Sequence, residues 1–216
     1  MVKRILMAAI AIAAWSGLAI QFPYWIGVFQ SLGMTLSGAI IGYFSFFTIL
    51  TNLFLAVGLT TSLCAPRSTW ARWFSYPAVT TATASYIAFV GAAYFALLRS
   101  VWHPEGIQIL ANILLHYAVP SGYLVCWLIF FPKAAFRWKS ALEWLAPPLA
   151  YLFCVMIRGA LTGFYPYPFL DAVSLGYARV CLYAAVLICA FVFICLILIA
   201  ISRRLSRTSA TKTQPA

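Results

Sequence analysis

Two polar stripes interrupt an otherwise apolar chain. In SFFTILTN, Ser45, Thr48 and Asn52 fall at i, i+3 and i+7, with Thr51 beside them. In QILANILLH, Gln108, Asn112 and His116 recur every four residues, and the chain's other histidine is His103. If both stretches are helical, each set shares one slowly drifting face. A threonine hydroxyl becomes a nucleophile when a neighbouring base removes its proton, and a neutral imidazole is such a base. A Thr48–His116 pair is therefore a candidate for attack on an ester carbonyl. Ser45, Asn52 or Asn112 would donate to the developing oxyanion. The bland reading of the same residues is helix glue, since Ser, Thr, Asn and His in membrane helices also hydrogen-bond their neighbours.

A third feature is RGALTGFYPYPFLD, residues 158–171. Two prolines alternate with aromatic residues, a pattern no regular helix carries. An extended or re-entrant segment is expected there, closing over the helix ends. Arg158 can snorkel to the interface, pair with Asp171 or hold a lipid carboxylate. Arg179 competes as the partner of Asp171. Tyr165 and Tyr167 read first as interfacial anchors, with Tyr167 also a candidate site residue.

The elements that must position these groups follow from composition. The 216 residues are 65% hydrophobic and 8% charged, against about a quarter charged in a soluble domain. Long apolar runs without strict alternation predict membrane-spanning helices. Six are expected, over residues 5–21, 36–63, 76–98, 107–131, 141–160 and 174–201. The fold class is thus an all-α integral membrane protein, a six-helix bundle in one domain over residues 1–205, with a disordered cytoplasmic tail over 206–216. The opening MVKRILMAAIAIAAWSGLAI has the basic-then-apolar order of a signal peptide, but its apolar run is long and lacks a clean cleavage site, so it reads as a span.

Depth can be compared along the chain. Thr48 lies 19 residues before Arg67 and His116 lies 17 before Lys133. At the helical rise, that offset is only about 3 Å, so the two side chains are expected at one level in the outer half of the membrane. A kink is expected at Pro120.

Charge orients the bundle. Eleven of the fourteen basic residues fall at the N-terminus, in the second and fourth loops, and in the tail; Arg99, Arg158 and Arg179 fall on or near the other side. Both termini are therefore expected in the cytoplasm of a plasma membrane, a bacterial inner membrane. The net charge of +11 points to anionic membrane lipids and not to nucleic acid. Six cysteines without CxxC spacing and two histidines suggest neither a metal site nor a haem, and no cofactor is expected. The sequence carries no Walker A, GxGxxG or GxSxG pattern, and it leaves the oligomeric state open.

The segment TGFYPYPFLD resembles the T-G-x-x-x-Y-P-F-L-acid pattern of the androgen-induced / androgen-dependent TFPI-regulating membrane proteins. Thr48 in FFTILTN and His116 in LLHYAVP match the threonine and histidine of that family. HYAVP, FPK, EWLAPPLAY and RGALTGFYPYPFLD make the chain look still more like a bacterial six-span branch of it. The resemblance implies an intramembrane Thr–His pair that hydrolyses fatty-acid esters of hydroxy fatty acids, with a lipid or fatty-acyl ester as partner. The alternative is a non-catalytic lipid-binding protein, small transporter or membrane scaffold. Proton-driven transport fits less well, because no carboxylate occupies mid-span.

Overall fold

The computed structural model describes residues 1–211, and among these the chain is helix and loop with no strand. Six of its helices are long and apolar enough to cross a membrane. The protein is an all-α membrane bundle. The first span is α1 (Val2–Ser31). The short α2 (Leu36–Tyr43) and the longer α3 (Phe47–Cys64) follow. A surface helix, α4 (Thr69–Phe74), leads to α5 (Pro77–Ala93), which runs on into a π turn at Tyr94–Leu98. The fourth span is built from α6 (Ile107–Ile113), a π turn at Leu114–Ala118 and α7 (Val119–Phe130). Then come α8 (Ser140–Thr162), a 3₁₀ turn at Pro168–Leu170, the single turn α9 (Ala172–Leu175), and α10 (Tyr177–Thr211).

Packing follows this order. α1 lies against α2, α3 and the fourth span; α5 lies against α7 and α10; α8 lies against α10. The two ends of the bundle differ in chemistry. At one end the basic residues gather: Arg4 donates to the Leu63 carbonyl, Lys3 sits over the Phe131 ring, and Ser202 bonds the backbone of Ala134. Both ends of the described chain therefore lie on that side. At the other end aromatic rings gather, with Trp25 stacked on Trp102 and Phe29 edge-on to Phe164. Outward faces are apolar, with Leu142, Leu161, Leu182 and Phe193 exposed toward where lipid would be. Inside, Trp127 donates from Nε1 to the Thr81 hydroxyl at 3.1 Å, so the buried indole N–H of α7 is satisfied by α5.

Three expectations change. The first span is longer than residues 5–21: α1 continues to Ser31, at about 45 Å well over the hydrocarbon thickness. The second span is not continuous over 36–63. It breaks at residues 44–46, between α2 and α3. The tail expected to be disordered from Ser206 is helical as far as Thr211, because α10 continues without a stop signal; residues 212–216 lie outside the described residues. The outer segment matches its expectation. Gly163 ends α8 in the left-handed region at φ +73°, and the chain then runs extended into the 3₁₀ turn. Gly159 lets it fold back, since a Cβ there would overlap the Tyr165 ring.

Candidate active site

Thr48 owes its setting to the broken second span. It is the second residue of α3, a position whose backbone N–H has no partner within the helix. The break lies inside the bundle, so its polar groups need tertiary partners. They have them. The Tyr167 hydroxyl accepts the Thr48 N–H at 3.4 Å and interacts with the Thr48 side chain. The Tyr151 hydroxyl donates to the Ser45 carbonyl at 2.8 Å. A hydroxyl at the start of α3 sits at the positive end of the helix dipole, where developing negative charge is favoured.

His116 owes its setting to Pro120. Proline has no N–H to bond the carbonyl four residues back, which is that of His116, and its ring crowds that carbonyl. The helix absorbs the defect as a π turn, in which the Val119 N–H bonds the Leu114 carbonyl. The expected kink is thus taken up as an extra residue in one turn. Gly91 of α5 makes room, because a Cβ there would sit 3.3 Å from both the His116 carbonyl and Pro120. The imidazole is held on two sides. Its ring stacks on Tyr94 with centroids 4.0 Å apart and planes 22° apart. Nδ1 bonds the Asn112 carbonyl at 3.2 Å. A carbonyl only accepts, so in the neutral ring Nδ1 carries the hydrogen and Nε2 keeps the lone pair.

Thr48 and His116 both line one cavity of about 460 Å³. This lies within the range of small-molecule sites. No direct hydrogen bond joins the two among the described residues. Trp25, Phe29, Trp102 and Phe164 form aromatic walls. Asp171 is the only formally charged residue of the lining; no Lys or Arg takes part. Its carboxylate is engaged with its own helix start: Ser174 donates its hydroxyl, and the amides of Val173 and Ser174 donate to Oδ1. The Ser174 hydroxyl first, then these amides, holds the Asp171 carboxyl below its ordinary range.

No family model, curated protein or solved structure matches this chain. The site is therefore read from its own geometry.

The supporting residues expected from the stripes do not line the cavity. Asn52 is wholly buried, and its Nδ2 donates to the carbonyls of Thr48 at 2.9 Å and Leu115 at 3.4 Å. It ties α3 to the turn that carries His116, and it is not free to meet an oxyanion. Asn112 donates to the Tyr94 hydroxyl at 2.7 Å while its carbonyl holds His116. Ser45 faces away, donating to the Ile41 carbonyl and accepting from Arg158. Arg158 also lies over the Phe164 ring at 4.7 Å. The Arg158–Asp171 ion pair, one of the alternatives for Arg158, is absent among the described residues, since each side chain has nearer partners, and Arg179 does not take its place. Tyr167 is corrected as well. It is buried against Thr48 and is no interfacial anchor.

One residue escaped the sequence reading. Gln21 is 5% exposed, lines the cavity and has no hydrogen-bond partner among the described residues. The signal was a lone amide in a greasy run. The expected span ends at this residue, whereas α1 carries it mid-helix and turns it inward. Among the described residues, no three His, Cys, Asp or Glu side chains come together as a metal cluster.

Proposed function

We propose that this chain is an intramembrane threonine hydrolase of lipid fatty-acyl esters, as its likeness to the androgen-induced / androgen-dependent TFPI-regulating proteins implies. One observation carries the reading: Thr48, at a helix start inside the bundle, and His116, with Nε2 left as acceptor, line one aromatic-walled cavity. Thr48 Oγ1 attacks the ester carbonyl carbon while its proton passes to His116 Nε2. The carbon–oxygen bond to the alcohol breaks, and the alcohol leaves with that proton. Water then gives a proton to His116 and attacks the acyl-threonine carbonyl carbon; as the bond from that carbon to Thr48 Oγ1 breaks, His116 returns the proton to Oγ1, which releases the fatty acid and restores both residues. The free amide of Gln21 is a donor available to the oxyanion. No cofactor takes part in this scheme.

The localisation proposed with it is a bacterial inner membrane, with the basic face of the bundle, and so both termini, in the cytoplasm. The cavity then opens on the outer side. The substrate reaches it from the membrane lipids.

A fluorophosphonate probe tests the nucleophile. Labelling of the purified protein is expected, with none in Thr48→Ala. Labelling that persists in Thr48→Ala removes Thr48 from the role, and ester hydrolysis unchanged in His116→Ala removes the base. A protein that retains lipid but turns over no ester supports the binding-protein reading instead.

A further inference from the structure

A second, narrower cavity of about 90 Å³ meets the first at Thr48, Tyr94, Leu98 and Tyr167, which line both. It runs between α5, α8 and α10. Its walls are Phe89, Leu149, Leu152, Leu187 and Ile188. Apart from the hydroxyls of Thr48, Tyr94, Tyr151 and Tyr167, no side chain in its lining carries a polar group, and none is charged. Its lining reaches Leu145 and Phe191, which belong to a buried cluster with Trp144 and Cys195. The lining runs from Leu145 to Leu152 on α8 and from Ala184 to Phe191 on α10, about 10 Å of helix in each case.

The two cavities differ in what they would accept. The wide one offers an imidazole, an amide and a carboxylate; the narrow one offers hydrocarbon and four hydroxyls, with no charge. We propose that the narrow channel is the acyl subsite. The fatty-acyl limb of the ester lies between α5, α8 and α10, its carbonyl at Thr48, and the alcohol limb occupies the wide chamber toward Asp171. The placement of the carbonyl rests on the hydrolase reading; the channel's affinity for an acyl chain does not. A chain entering from the bilayer is already out of water, so it gains no transfer free energy on entry. Selection comes from fit within the narrow apolar lining. At about 90 Å³ the channel is smaller than the cavity of about 150 Å³ that takes one benzene, so the expected dependence on acyl length has a maximum at short chains. It is not a steady rise, since a chain longer than the channel must fold back or withdraw its carbonyl from Thr48.

The experiment uses the full chain in nanodiscs and a fatty-acyl ester with a diazirine at the acyl terminus. After irradiation, labelled peptides are mapped by mass spectrometry. Labels are expected on residues 145–152 and 184–191. Labels on Trp25, Phe29 and Trp102, or only on lipid-facing Leu182 and Phe193, overturn the channel. In parallel, esters graded in acyl length are hydrolysed by wild type and by Ile188→Trp, which shortens the channel. The long-to-short rate ratio is expected to fall about tenfold or more in the variant, the scale on which a misplaced carbonyl costs rate. Channel labelling without hydrolysis by wild type supports the subsite and removes the hydrolase. Hydrolysis that ignores acyl length in both proteins keeps the hydrolase and overturns the subsite.

Discussion

The rings of His116 and Tyr94 stack 4.0 Å apart, and each residue lies in a π turn of a different span. The same tyrosine accepts from Asn112, whose backbone carbonyl fixes Nδ1 of the histidine. Tyr94 and Asn112, from two spans, thus set the orientation of one imidazole. π turns recur at functional sites because the extra residue re-aims side chains that a regular helix would carry elsewhere.

This stack gives the first expected outcome. Tyr94→Phe keeps the ring but leaves the buried Asn112 amide without its acceptor, so stability should fall by about 1–3 kcal/mol, read as a lower Tm in detergent. Tyr94→Leu also removes the ring face, and ester hydrolysis should drop further than in Tyr94→Phe. Equal rates in the two variants would mean that the stack does not orient the base.

Asn52 gives the second. Its amide joins the backbone of Thr48 to that of Leu115. Asn52→Ala should cost about 1–3 kcal/mol of stability by stranding buried carbonyls, and hydrolysis should fall with it. Asn52→Asp, which must bury a charge or take up a proton, should be worse still. Thermal melts of the three proteins side by side check the order.

Pro120 gives the third, with opposite signs for stability and activity. In Pro120→Ala the new N–H can bond the His116 carbonyl, so the π turn can relax to regular helix. Stability should hold or rise, by up to about 3 kcal/mol of recovered helix stability, read as an unchanged or higher Tm. Hydrolysis should fall about tenfold or more, because the imidazole rotates off the cavity. A variant that is both active and more stable would show that the π turn is dispensable.

Asp171 gives the fourth. Its folded pKa is depressed, so its contribution to stability is present above the unfolded value of about 3.9 and is lost as pH falls through the lower folded value. The Tm gap between wild type and Asp171→Ala should be constant at neutral pH and close in acid. A gap that persists below the folded pKa would assign the effect to packing rather than charge.

Much of the architecture was legible from one dimension. Hydropathy gave six spans, because a bilayer tolerates only self-satisfied backbone over such lengths. YPYPFLD announced its irregular backbone through its prolines. The rarity of histidine in apolar helices singled out His116, and a count of residues from the basic loops put Thr48 at the same depth. Both side chains do line one cavity.

Other features had no local signature. Nothing in LSGAIIGYFSFFTIL marks a break at residues 44–46, for no proline or charge stands there. The break persists because Tyr151 and Tyr167, more than a hundred residues later, satisfy the freed carbonyl and amide. The roles of Asn52, Asn112 and Ser45 were likewise set by which neighbour each side chain met first. Gln21 became a cavity residue only through the length of α1 and its packing. Sequence determined that these polar groups would be buried, since leaving water is a property of the whole segment. Tertiary structure decided which of them would be satisfied by a partner and which would be left facing open space, because a hydrogen bond depends on contacts between segments that composition cannot order.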